Sequence, residues 1–255
     1  MAAYNEACAA RQPASKDLYQ RYNSIVGSIR HCVPVRGDVS AAMDLLGRCL
    51  TFATEKLYEC ARRVLVYLGR TRLLGPTYCK NAPRAAELYA LCDANWTTTR
   101  SVSGGCFMLG GSAVSTFYRS QHCITMSSTE AELYALAECA IELLYFIGLL
   151  EFIGHKIDGA VSVGTDNKGA YDLCHRFTSA QNSRHIDRRL FKMRELRGLG
   201  VVSVRWVPTD DNFADIFTKV LSRQPFEKHR RSIFNSDAGV VVEDARKRRV
   251  RDAEA

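Results

Sequence analysis

The stretch SSTEAELYALAECAIELLYFIGLLEFIG, beginning at Ser127, sets Leu136, Cys139, Ala140, Leu143, Leu144 and Ile147 three and four residues apart, so they line one side of a long helix. A stripe of that size has to be buried, and the preceding segments say against what. ELYALCDA, GGCFMLG and SAVSTFY are short, rich in strand-forming residues and separated by glycine and polar turn residues, as in an antiparallel meander. After the helix come a buried-looking strand, AVSVGTD, a helical stretch from Asn167, a basic helix from about Ser183 to Leu199, a strand VVSVRWV and a last helix from about Asp211. The order β-β-β-α-β-α-α-β-α describes a mixed α/β domain.

The chain before the meander reads differently. DVSAAMDLLGRCL and TEKLYECARRVLVYLGR are helical, the second with Leu57, Cys60, Val64, Leu65 and Leu68 on one face behind a cap at Thr54. Gly69 and TRLLGP end that helix, which predicts a boundary near residues 75 to 85. Residues 1–16 are expected to be flexible. The charged tail over 236–255 mixes signs with little periodicity and is expected to be disordered, its KRRVR run more simply a solvated patch than an import signal.

At 255 residues and 47% hydrophobic content the chain can bury a core. It has no run of the roughly 20 consecutive apolar residues a membrane span needs, and MAAYNEACAARQ lacks the apolar run of a secretory signal, so an intracellular protein, cytoplasmic or nuclear, is expected, with no membrane partner. The 10 cysteines are scattered without a Cys-x-x-Cys pair, which argues against a zinc site or a disulfide framework. Lys and Arg exceed Asp and Glu by 35 − 27 = 8. Between Arg176 and Arg205 the basic residues Arg176, Arg184, Arg188, Arg189, Lys192, Arg194, Arg197 and Arg205 face only Asp187 and Glu195, a pattern suited to tracking phosphates.

Four acids stand at ends of elements: Asp93 at the end of the first strand, Glu132 in the first turn of the long helix, Asp166 at the end of the buried strand and Asp215 at the start of the last helix. Carboxylates presented from strand and helix ends can converge on one point. Converged, they raise one another's pKa, and hard divalent cations relieve the conflict, magnesium most naturally. Two such ions about 3.5–4 Å apart can activate water and stabilise the leaving oxygen of a phosphodiester. Each acid also has a plainer reading. Thr129-x-x-Glu132 is a capping box, Asp166 can cap the helix from Asn167, Asp215 can complement a helix dipole, and Asp93 can be a turn acid.

Several ordered motifs choose between these readings. LCDANW, TRSVSGGCFMLGGSAVSTF, SSTEAELYALAE, VGTDNKGA, SRHIDRRLFKMRE, VPTDDNFADIFTK and LSRQPFEKHR together resemble the ribonuclease H domain of copia-type retrotransposon Pol polyproteins. Upstream, the run from YNSIVGSIRHCVPVRGDVSAAMDLL to YLGRTRLLGPTY resembles the end of the family's reverse transcriptase. The resemblance covers about residues 17 to 235. It implies a ribonuclease H-like mixed five-stranded sheet flanked by helices over 84–235, preceded by a helical thumb or connection remnant over 17–80. It further implies Asp93, Glu132, Asp166 and Asp215 as ligands to two Mg2+ ions, with Mn2+ able to substitute, and not the neighbouring Glu130.

The implied substrate is an RNA/DNA hybrid, the implied partner the rest of a retrotransposon polyprotein, and Arg184, His185, Arg188, Arg189, Lys192 and Asn167 are candidate nucleic-acid contacts. His185 and Asp187 lie on a matched motif but are left out of the catalytic set. Trp96 and Trp206 read as core or edge packing rather than base-stacking platforms. The sequence departs from the family at Asn95, at Arg36-Gly37-Asp38 and at Arg119-Ser120, none of them a proposed ligand. No Tyr-x-Asp-Asp turn occurs, so polymerase activity is not expected. The leading expectation is a metal-dependent endonuclease cutting the RNA strand of hybrids. A catalytically silent nucleic-acid-binding relic is the second reading. An integrase-like transferase ranks below both, because its acids run Asp, Asp, Glu.

Overall fold

The computed structural model describes residues 1–82, 84, 86–97, 100–175 and 187–236. The chain divides into two compact units, Met1–Gly75 and Pro76–Ala255, each with its own apolar cluster. The start of the chain, expected to be flexible, forms helix α1 (Ala2–Ala10), which buries Ala7. Its alanines favour helix and cost little side-chain entropy on burial.

Helices α2 (Lys16–Arg30), α3 (Ser40–Gly47) and α4 (Glu55–Arg70) complete the first unit. Ser15 and Thr54 cap α2 and α4 through hydroxyls that accept from Leu18 N and Leu57 N, both at 3.3 Å. On α4 the buried positions are Leu57, Ala61 and Leu68, with Cys60 and Val64 packed beside them. Leu65, expected on this face, is 48% exposed, because at 100° per residue it falls at the edge of the stripe centred on the other four.

One polar group holds the first unit internally. Arg36 forks onto both oxygens of Asp38 at 2.9 and 2.8 Å and donates to Thr71 O and Thr71 Oγ1 at 3.0 and 2.8 Å, while the Tyr67 hydroxyl also donates to Asp38. The pair is almost dry, with side-chain exposures of 8% and 0%. It ties the turn at Gly37–Val39 to the end of α4, and its bidentate geometry offsets the desolvation of the two charges.

The second unit is a five-stranded mixed sheet in the order β3-β2-β1-β4-β5, built from β1 (Tyr89–Asn95), β2 (Val102–Leu109), β3 (Ser112–Ser120), β4 (Val161–Thr165) and β5 (Val202–Trp206). The first three strands form the antiparallel meander, and β1–β4 and β4–β5 are parallel. Gly110 and Gly111, at φ 67° and 84°, make the two-residue turn of the β2–β3 hairpin, a conformation that costs other residues strain. The sheet is the one the sequence led us to expect.

The long helix is α5 (Ser128–Phe152). By length and composition alone it is apolar enough to cross a membrane, with a mean hydropathy of 1.8 over its best window, yet Leu136, Cys139, Ala140 and Leu143 are fully buried within the sheet's apolar core. Helices α6 (Lys168–His175) and α7 (Asp187–Gly198) contribute Ala170, Cys174, Leu190, Met193 and Leu196 to the same core. Side chains of a strand alternate between faces, so Ala90, Cys92 and Ala94 of β1 meet α5, and Leu91 and Asp93 point the other way.

On that other side lie α8 (Asp215–Thr218) and α9 (Arg223–Phe234). The single last helix expected from Asp211 is therefore two short helices, separated at Lys219, whose backbone is extended. The 236–255 tail lies outside the described residues, apart from residue 236.

Removing one partner of a dry ion pair leaves the other charged and desolvated. Asp38→Ala is accordingly expected to lower the unfolding free energy by about 3–5 kcal/mol in a denaturant titration, whereas Asp17→Ala, on an exposed pair with Arg21, shifts it by less than about 1 kcal/mol.

Candidate metal centre

The site is built at the carboxyl ends of two neighbouring parallel strands. The β1–β4 register pairs Leu91 with Gly164, so two residues further along each strand Asp93, near the end of β1, and Asp166, just past β4, come to the same edge of the sheet. Crevices outside the carboxyl ends of parallel strands are common ligand sites in α/β folds. Glu132 reaches the same point from α5, accepting from Ala94 N at 3.2 Å and from Thr165 Oγ1 at 3.4 Å. One carboxylate oxygen from each of Asp93, Glu132 and Asp166 lies within 4.8 Å of the others.

The capping roles that competed for these acids belong to their neighbours. Ser127, not Thr129, caps α5: its hydroxyl accepts from Glu130 N at 3.1 Å, and Glu130 Oε2 accepts from Met126 N at 2.7 Å. Glu132 is thereby free to face the sheet. Likewise Asn167, not Asp166, caps α6, its Oδ1 accepting from Ala170 N at 2.9 Å. Asp166 is instead held by its carbonyl, which accepts from Trp206 Nε1 at 3.0 Å.

Asp93 is fully buried in the middle strand of the sheet, and its charge is met from α8 and the residue after it. Lys219 Nζ donates to Asp93 Oδ1 at 3.0 Å and to Asp215 Oδ1 at 2.8 Å, and the Thr218 hydroxyl donates to Asp93 Oδ2. The fourth expected ligand, Asp215, thus shares the Lys219 ammonium with Asp93 and is not one of the three acids whose oxygens lie within 4.8 Å of one another. Thr165, Thr218 and Lys219 were absent from the sequence-based site. The signal for the last two was the Thr-Lys pair three and four residues after Asp215, on the same turn.

Packing confirms how tightly α8 is seated. Gly104 lies opposite Asp93 in the β1–β2 ladder, and a Cβ there would stand 2.7 Å from Thr218 Cγ2 and 2.8 Å from Phe217 Cβ. Glycine inside a strand commonly marks such close approaches. Asn212 Nδ2, donating to Cys92 O at 3.0 Å, fastens the approach to α8 onto β1.

The electrostatics are those of an under-neutralised cluster. Burial first, then Asp93 and Asp166, push the Glu132 carboxyl well above its ordinary range. Burial and Asp93 push Asp215 up to about 7 despite Lys219. Two carboxylates about 4 Å apart repel by on the order of 4 kcal/mol at an effective dielectric of 20, so the group must hold a proton or gain a cation. The donor set fits a hard divalent ion. Its ligands are all carboxylate oxygens, the donors that hard divalent ions take, and one from each acid lies within 4.8 Å of the others.

The expected nucleic-acid contacts are more dispersed. Arg184 and His185 lie outside the described residues. Arg188 is exposed on α7. Arg189 stacks 3.6 Å over the ring of Tyr134, Lys192 pairs with Glu195 at 2.9 Å, and Asn167 is occupied as the α6 cap. Arg194 and Arg197 donate to Leu173 O and Cys174 O at the end of α6, so part of the basic excess of α7 serves its neighbour's carboxyl terminus. Trp96 and Trp206 are 43% and 48% exposed, and their indole N–H groups donate to Thr125 O and Asp166 O respectively, with the Lys168 ammonium 6.0 Å from the centroid of the Trp206 ring.

A 3-2-1-4-5 mixed sheet with helices on both faces and acids at the ends of β1 and β4 places the second unit in the ribonuclease H-like fold class. Its relatives include retrovirus-related Pol polyproteins of transposons, matched over most of the chain. The Pol polyproteins from transposons RE1 and RE2 of Arabidopsis thaliana are 30% and 31% identical to it over 224 and 216 residues, which cover 86% and 83% of this chain. The chain spans about 15% of the length of those relatives. The ribonuclease H1 of Halobacterium salinarum overlaps half of the chain and 90% of its own at 17% identity and a TM-score of 0.40. No protein-family model matches the chain.

Two outcomes follow from this geometry. Gly104→Ala is expected to cost about 1–3 kcal/mol in thermal or denaturant unfolding, because α8 and not a flexible side-chain tip has to give way. For Asp215 the folded pKa of about 7 lies above the ordinary carboxyl value of 3.8, so between the two the folded state holds a proton that the unfolded state has released, and stability falls as pH rises through that range. In EDTA, wild type is therefore expected to lose stability relative to Asp215→Asn as pH rises from about 4 to about 7, and a flat difference across that window contradicts the assignment.

Proposed function

We propose that the chain is a metal-dependent endonuclease that hydrolyses the RNA strand of RNA/DNA hybrids as part of a copia-type retrotransposon polyprotein. The observation that carries this reading is the convergence of Asp93, Glu132 and Asp166 within 4.8 Å at the carboxyl ends of β1 and β4. Its sequence relatives include Pol polyproteins of transposons. In this reading residues 17–80 are the end of the reverse transcriptase and 84–235 the nuclease.

Asp93, Glu132 and Asp166 would hold Mg2+ or Mn2+, with Asp215 adjoining them. A bound divalent ion there supplies a water of lowered pKa and charge stabilisation for the phosphodiester's oxygens. The protein's own contributions are positional. Ala94 N and Thr165 Oγ1 fix the Glu132 carboxylate, Trp206 holds the Asp166 backbone, and Thr218 and Lys219 orient Asp93. The exposed Arg188 on α7 is available for phosphate contacts.

The test is cleavage of an end-labelled RNA/DNA hybrid in Mg2+ or Mn2+ against the same reaction in EDTA. Asp93→Asn, Glu132→Gln and Asp166→Asn should each abolish cleavage, at least 100-fold, while leaving circular dichroism unchanged. Cleavage that persists equally in Asp166→Asn sinks the proposal. Salt-sensitive hybrid binding without any cleavage identifies the chain as a silent relic instead.

A further inference from the structure

The proposed reading asks for two cations, but the protein already supplies one of its own. The Lys219 ammonium lies 3.0 Å from Asp93 Oδ1 and 2.8 Å from Asp215 Oδ1, between the only acid of the three-member group that is fully buried and the acid that stands outside that group. The geometry points to Lys219 as a built-in counter-cation that holds the Asp93–Asp215 position, so that the free protein takes one divalent ion at Asp93, Glu132 and Asp166, and a second enters only by displacing the ammonium. The inference rests on the metal-binding reading above and adds which of the two positions is self-occupied.

Three features make this more than an ordinary ion pair. First, lysine is a compact point charge with three donors and no planar fork, so it can bridge two carboxylate oxygens as a metal ion does. Second, its side chain is 36% exposed while those of Asp93 and Asp215 are 0% and 8% exposed, so the cation can swing to solvent without unpacking the core, whereas the acids cannot leave.

Third, the charge count changes with occupancy. With all four acids ionised, one divalent ion plus the ammonium leaves −4 + 2 + 1 = −1, and two divalent ions with the ammonium withdrawn leave −4 + 4 = 0. Lys219 therefore couples entry of the second ion to its own departure, and Thr218, which bonds the other oxygen of Asp93, keeps that carboxylate in place during the exchange.

The experiment is a Mn2+ titration of the full chain, read by electron paramagnetic resonance for bound ion and by thermal unfolding, without substrate. Wild type is expected to bind one Mn2+, with a second at least tenfold weaker. In Lys219→Met the second site should tighten at least tenfold, and the variant, less stable than wild type in EDTA, should regain the loss as Mn2+ is added. Lys219→Arg, which keeps a cation, should stay with one tight ion.

Two ions of equal affinity in wild type overturn the inference without any variant having to fold, and so does a Lys219→Met titration indistinguishable from wild type. Absence of any Mn2+ site in wild type, or one indifferent to Glu132→Gln, overturns the metal-binding reading itself and this inference with it.

Discussion

The second unit is organised around the placement of a carboxylate, Asp93, in the middle strand of its sheet with no exposure to water. An isolated charge in that position is untenable, and everything near it answers the problem. α8 is seated against β1 and β2 where Gly104 leaves room, which brings Thr218 and Lys219 onto the two oxygens of Asp93. The protein thereby keeps an acid at the end of a core strand, where a site needs one, although the core would be easier to build without it.

The same constraint explains why neighbouring residues have divided their tasks. A helix start and a strand end both invite acids, because free N–H groups there need acceptors. Here Ser127 with Glu130 serves α5 and Asn167 serves α6, so Glu132 and Asp166 are left to face each other across the sheet end. Their burial and the neighbouring carboxylates are left uncompensated, and both appear as the raised proton affinity of Glu132, as they do for Asp215 nearby. A site poised in this way favours a divalent cation over an empty, fully ionised state.

Away from the site, the basic helix illustrates how charge composition and charge function separate. Arg194 and Arg197 are turned onto the carbonyls that end α6, and Arg189 lies on an aromatic ring, leaving Arg188 as an exposed candidate for phosphates among the described residues. A run of arginines in sequence says how much positive charge a segment carries. Which arginines remain available is settled by the carbonyls and rings that packing brings within reach.

Much was legible without coordinates, because periodicity is local. The stripe Leu136, Cys139, Ala140 and Leu143, the glycine pair of the hairpin and the Thr54 cap all depend on residues a few positions apart, and the sequence by itself determined them. It could not determine the boundary at Lys219 that splits the last helix or the exchange of capping duty from Thr129 to Ser127. Nor could it show that Lys219 comes between Asp93 and Asp215. Asp93 and Lys219 are 126 positions apart, and only the docking of α8 on the strand pair, a long-range packing event governed by the shape of a glycine gap, brings their charges to 3.0 Å.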